Sequence, residues 1–100
     1  MENNYEIRFR KEFKNDFFEI FYYIYYKLEN EIAANSFYTD ILNSIKERSS
    51  FPEIFQPYKP HSRKWYRIYM RNFTIFYTVR DNTMEIVHVI YSARNLERLV

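Results

Sequence analysis

Glycine is missing from this 100-residue chain, and so is cysteine. Without glycine, no glycine-rich loop can cradle a phosphate, and every tight turn falls to Asn, Asp, Ser or Pro. Without cysteine there is no disulfide framework and no thiolate nucleophile. That fits a reducing compartment, and the expectation is a cytoplasmic protein. Histidine occurs twice, at His61 and His88. The two lie far apart and lack metal-ligand spacing, so neither a metal nor a cofactor is expected. No apolar run approaches the ~20 residues that cross a bilayer. The opening stretch MENNYEIRFRKEF is charged throughout and has no signal-peptide core. Proline appears three times, always between Phe51 and Lys64.

Aromatic rings are abundant by contrast, at 22% of residues, within a chain that is 47% hydrophobic. That composition excludes a disordered tail. The length suits one domain spanning 1–100 with a single core. Net charge is only +2, but it is unevenly placed. Residues 1–58 hold 7 Lys/Arg against 10 Asp/Glu, a net of −3, and residues 59–100 hold 8 against 3, a net of +5. A basic second half beside an acidic first half points to an anionic or acidic partner for the former.

The stretch FFEIFYYIYYK, Phe17 to Lys27, packs seven rings into eleven residues. Base stacking, a membrane anchor, a strand and a packed helix face are the candidate uses. Phe13, Phe17, Ile20, Phe21, Ile24 and Leu28 step by three or four, so the spacing predicts one helical stripe. Phe18, Tyr22 and Tyr25 form a second stripe beside it. A strand would need period two, and Asp16, Glu19 and Lys27 exclude a membrane span. Asn30 is placed to cap a second helix, EIAANSFYTDILNSIKERSS. Its Ala34, Phe37, Ile41 and Ile45 share a face, and Ala33 and Ala34 permit close approach of the two helices. Phe17, Ile20, Phe21, Ile24, Phe37, Ile41 and Ile45 are the expected core. The short connection makes the pair an antiparallel hairpin.

Period two governs the flanks. YEIRF near the start reads as a short strand. After the proline-rich loop FPEIFQPYKPHSRK come KWYRIYMR, FTIFYTVR and MEIVHVIY. The last is apolar on both faces except at Glu85 and His88, as an inner strand should be. Arg71–Asn72 and Asp81–Asn82 fall where hairpin turns are needed. The tail SARNLERLV is basic and long enough for a turn or two of helix. The order strand, helix, helix, three-stranded meander predicts an α+β fold. Its helical hairpin would cover one face of a mainly antiparallel sheet.

Three stretches in this order resemble the RelE/ParE superfamily of type II toxin–antitoxin toxins. DFFEIFYYI…EIAANSFYTDILNSI…FPEI is similar to that family's helical hairpin. FTIFYTV is similar to its Y-x-I-x-Y-x-V strand, and EIVHVIYSARNLERL to its last strand and tail. The resemblance implies a small toxin held inactive by a cognate antitoxin in a hetero-oligomer, with no membrane partner. It also implies one of two activities. ParE-like members poison DNA gyrase, and RelE-like members are ribosome-dependent mRNA endoribonucleases. The RelE-like arginine that follows the strand's aromatic is replaced here by Thr74. Tyr91 stands where many relatives have histidine, Asn95 where they have aspartate, and Gln56 where glycine is frequent. ARNLERL and FTIFYTV lie closer to the ParE-like branch, which makes gyrase the expected target.

Metal-free RNA cleavage would need a base, an acid and cations around the phosphate. Arg67, Arg71, Arg80, Arg94 and His61 are the cationic candidates. In that reading Arg67 and Arg71 hold phosphate, and Tyr91 transfers protons. In the gyrase reading Arg67, Arg71, Arg94 and Arg98 contact the target. Arg67 and Arg71 share a strand face by the two-residue rule, with Tyr69 between them. A lone histidine in an apolar strand, as at His88, is expected to be a satisfied structural residue. Tyr22, Tyr23, Tyr25, Tyr26 and Tyr38 are expected to be partly exposed, where a partner's helix or strand would cover them.

Overall fold

The computed structural model describes residues 5–57 and 64–91. Strand β1 (Glu6–Phe9) leads into helix α1 (Lys11–Tyr22), which continues as a π-helical segment, Tyr23–Lys27. Helix α2 (Glu31–Arg48) follows, then strands β2 (Tyr66–Tyr69), β3 (Phe73–Arg80) and β4 (Thr83–Tyr91). The sheet order is β1-β4-β3-β2. β1 lies parallel to β4, and the other pairings are antiparallel. This is the expected α+β arrangement, with MEIVHVIY as an inner strand. β4 lies between β1 and β3, with Met84, Ile86 and Val89 buried beneath the helices, while Glu85, His88 and Ile90 face outward.

The aromatic run is helical, as its spacing predicts. Phe13, Phe17, Ile20 and Ile24 are buried on one stripe. Phe21 is the exception to the expected core: it is only half-buried. At about 100° per residue it sits about 70° from the centre of that stripe. Its ring therefore lies at the margin, stacked on Phe17 and Tyr25 at 6.2 and 5.8 Å. Phe37, Ile41 and Ile45 are buried on α2, as expected. Phe37 links the layers, with its ring 5.1 Å from that of Phe17 and 4.8 Å from that of Phe73.

The absence of glycine leaves its mark at the turns. The first helical run closes with the Leu28 amide donating to the Tyr23 carbonyl, and Glu29 then takes φ 50°. Asn30 starts α2, its Oδ1 accepting from the Ala33 amide at 2.9 Å. Fully buried Ala34 lets the hairpin close. Asp81 and Asn82 have φ 50° and 62°, as a type I′ hairpin turn requires. Asn82→Val is expected to cost about 1–2 kcal/mol, because a β-branched residue resists positive φ, while Asn82→Gly should cost nothing. Urea unfolding of the two variants checks this, and equal stabilities would dismiss the turn assignment. The other hairpin turn, Arg71–Asn72, is closed by the Met70 amide donating to the Phe73 carbonyl at 2.8 Å and uses no positive φ.

Candidate functional site

Strand alternation divides the second half of the chain into two faces. Ile68, Ile75 and Val89 align across β2, β3 and β4 and are buried beneath the helices. Phe73 and Tyr91 pair on that same core face. The opposite, outer face carries Arg67, Phe76 and His88 in one row and Tyr69, Thr74 and Ile90 in the next. Tyr69 is 67% exposed and Ile90 49%. The Arg67 guanidinium lies over the Tyr69 ring, 5.5 Å from its centroid. This cation–π contact holds the charged fork and the ring at the sheet's edge.

Arg71 does not extend that row. β2 ends at Tyr69, so the two-residue rule stops short of Arg71, which sits exposed in the turn to β3. There it lines a cleft of about 490 Å³ against α2, together with Ser36, Phe37, Asp40 and Asn72. Arg80 lies at the far end of β3, paired with Thr83. Tyr91 faces the core side, its ring 5.3 Å from Phe73. Its hydroxyl is buried and has no hydrogen-bond partner among the described residues. Tyr91 and Arg67 therefore lie on opposite faces of the sheet. Thr74, where an arginine marks the nuclease pattern, is buried. His61, Arg94 and Arg98, and the expected tail helix, lie outside the described residues.

His88 is satisfied, as expected, but by a partner that periodicity does not reveal. β1 pairs with β4 only as far as Ile86, and α1 then passes the remaining edge. Asp16 Oδ2 accepts there from the Val89 amide at 3.3 Å and meets His88 Nδ1 at 2.8 Å. One carboxylate thus does for β4 what a neighbouring strand would do, and it orients the imidazole on the outer face. Asp16→Ala is expected to destabilise by about 1–2 kcal/mol, since it strips the partner from a partly buried amide. Asp16→Asn should retain most of that stability through its amide oxygen. Thermal melts of both variants provide the check, and an unchanged alanine variant would show that the edge needs no cap.

A second cluster also escapes sequence reasoning. Arg48, at the end of α2, donates through Nη1 to the Arg67 carbonyl at 3.1 Å and to the Tyr77 hydroxyl at 3.0 Å. Tyr77 in turn donates to the Pro52 carbonyl at 2.6 Å. The Arg48 guanidinium stacks on Phe55, 4.3 Å from its centroid. α2, β2 and the segment after α2 are thereby tied together behind Arg67. That segment leaves Phe51, Ile54 and Phe55 exposed around a cleft of about 410 Å³ reaching Tyr69. On the hairpin, Tyr22, Tyr26 and Tyr38 are exposed, while Tyr23 and Tyr25 are half-buried. Among the described residues, no cluster of His, Asp or Glu has metal-binding geometry, and no helix is long and apolar enough to cross a membrane.

Comparison with known proteins places these features in a family. A family model described as "ParE toxin of type II toxin-antitoxin system, parDE" matches residues 7–96. Among solved structures, the chromosomal ParDE toxin–antitoxin system of P. aeruginosa is similar, with TM-score 0.71 and 13% identity. That match covers 91% of this chain and 99% of the other. The toxin–antitoxin complex RelBE2 of Mycobacterium tuberculosis is similar with TM-score 0.63 and 13% identity, over 90% of this chain and 94% of the other. No curated relative matches at the sequence level.

Proposed function

This chain belongs to the ParE toxin family of type II toxin–antitoxin systems, and we propose that it inhibits growth by binding and poisoning DNA gyrase through the outer face of its sheet. The carrying observation is the stack of half-buried Arg67 on exposed Tyr69, with the Arg67 carbonyl held from behind by Arg48. Arginine and tyrosine are the residues that most often anchor protein contacts. The ribonuclease alternative is less well supported. Its proton-transfer residue, Tyr91, has a buried hydroxyl on the core face, away from Arg67. Arg71, exposed in the turn beside that face, and Arg94 and Arg98, outside the described residues, are the further proposed target contacts.

A cognate antitoxin is the second proposed partner, since the similar structures are themselves toxin–antitoxin systems. An acidic segment would neutralise the basic second half. Phe51, Ile54 and Phe55 would give its apolar residues a foothold beside Tyr69.

Supercoiling by purified gyrase is the test. The wild-type chain should inhibit it, and Arg67→Ala should weaken inhibition about tenfold while the fold is retained. A ribosome-programmed mRNA cleavage assay is run beside it. Cleavage that Tyr91→Phe abolishes would install the ribonuclease reading and remove the gyrase one.

A further inference from the structure

An open sheet has two edges, and each presents backbone groups without a neighbouring strand. Two side chains already close parts of these edges. Arg48 Nη1 donates to the Arg67 carbonyl on β2 at 3.1 Å. Asp16 Oδ2 accepts from the Val89 amide at 3.3 Å, where β4 runs on beyond β1. The β1 edge has no such cap among the described residues. Which of its groups face outward follows from two bonds. The Glu6 amide donates to the Asn82 carbonyl and the Arg10 amide to the Ile86 carbonyl, each at 2.9 Å. Alternate residues of a parallel strand bond to the same neighbour, so Glu6, Arg8 and Arg10 direct their backbone groups to β4. Tyr5, Ile7 and Phe9 direct theirs to the open edge, where the sheet has no further strand.

The residues around Ile7 decide what fits there. Glu6 and Arg8 flank it on the outer face, both exposed, with their charged groups 3.7 Å apart. A second β1 laid antiparallel, Ile7 against Ile7, sets Glu6 of each copy opposite Arg8 of the other, twice. The backbone comes into register at the same time. Ile7 meets Ile7 and Tyr5 meets Phe9 as hydrogen-bonded pairs, from the residues whose groups point outward. Glu6 and Arg8 then occupy the closer, non-hydrogen-bonded sites, where cross-strand side chains interact most. The two-fold axis is normal to the sheet, so the outer faces of both copies stay on one side. We propose that the open edge of β1 is the contact of a two-fold symmetric homodimer, in which two four-stranded sheets join into one. Such an isologous contact closes at two copies. The same charges turn away strands that lack the complementary pattern. The segment Tyr5–Phe9 is short, so the contact falls below the roughly 800 Å² per partner of standard interfaces and the dimer should be weak. β1 and β2 are opposite edges of the sheet. The dimer therefore leaves Arg67 and Tyr69 free, and it stands or falls independently of the target.

The full chain, made by cell-free synthesis, is examined by analytical ultracentrifugation. Wild type should pass from monomer to dimer with rising concentration. Glu6→Arg and Arg8→Glu should each weaken self-association about tenfold, with unchanged circular dichroism, because each sets like charges opposite one another. An equimolar mixture of the two variants should associate as wild type does, since each copy then meets the opposite charge. No effect within a single chain can produce that rescue. Amide exchange followed by NMR is the second readout. The Ile7 and Phe9 amides should slow in step with the dimer fraction, while those of Glu6 and Arg10, already bonded within the chain, should change little. A chain that stays monomeric at every concentration overturns the proposal. So does a mixture that associates no better than either variant alone, or a dimer in which the Ile7 amide exchanges as it does in the monomer. Protection of Ile7 only when antitoxin is added assigns the edge to that partner and equally overturns it.

Discussion

Phe37→Ala is expected to lower the free energy of unfolding by about 3–5 kcal/mol, the largest loss from any single truncation considered. Phe37 is only 5% exposed. Its ring touches Phe17 on α1 and Phe73 on β3 at 5.1 and 4.8 Å, so it is the shared contact of hairpin and sheet. Removing it leaves a cavity between two layers that other elements hold apart, and collapse cannot fill it. For a domain whose whole stability is about 5–15 kcal/mol, the variant will be close to unfolding at growth temperature. Phe21→Ala makes the comparison informative. Phe21 belongs to the same aromatic run, but it is half-buried at the core's margin. Its loss should be about 1–2 kcal/mol, from stacking and partial burial alone. Chemical denaturation of both variants separates the two. Equal losses would mean that the layer contact at Phe37 carries no special weight.

Phe21 also shows where the sequence stops being legible. Spacing by three and four identifies the helix and most of its buried stripe, because burial on a helix is periodic and the core lies on one side. It does not fix the edge of the stripe to within one residue, and Phe21 falls on that edge. The strands were readable for the same reason: Ile68, Ile75, Val79 and Met84 alternate as the pleat demands. Asp81–Asn82 was readable because positive φ admits few residues. Alternation holds only within a strand, and β2 ends at Tyr69, so Arg71 does not share the face of Arg67. Asp16–His88 and Arg48–Tyr77 were not readable at all. They join residues 72 and 29 positions apart, and no local rule encodes which helix passes which strand edge. Family resemblance supplied what periodicity could not, an expected class of action. Alternation puts Arg67 and Tyr69 on one strand face, but the stacking of one on the other depends on side-chain rotamers that no periodicity encodes.

Tyr77→Phe should destabilise by about 2–3 kcal/mol although it removes a single oxygen. The Tyr77 side chain is fully buried, and its hydroxyl stands between a charged donor, Arg48, and the Pro52 carbonyl. Without it, the carbonyl loses a short bond and the guanidinium loses one of its two acceptors among the described residues, in a site that water does not easily reach. Stacking on Tyr66 at 5.3 Å is retained by phenylalanine, so the loss reports the hydroxyl. A pH signature accompanies it. Burial pushes the Tyr77 phenol above its ordinary value, and the hydrogen bond and charge of Arg48 only partly offset this. Below about pH 10 the phenol is protonated in both folded and unfolded chains, and its contribution is fully present. Above that, the unfolded chain releases the proton while the folded chain keeps it. Stability therefore falls as pH rises towards the folded value. Tyr66 is raised as well, chiefly by burial and then by the negative charge of Glu53, and adds to the same slope. Tyr77→Phe should thus be less stable than wild type at neutral pH and lose less on going to about pH 11. Urea unfolding measured across that range decides the matter. Parallel curves for the two proteins would mean that the Tyr77 phenol ionises in the folded chain as freely as in the unfolded one.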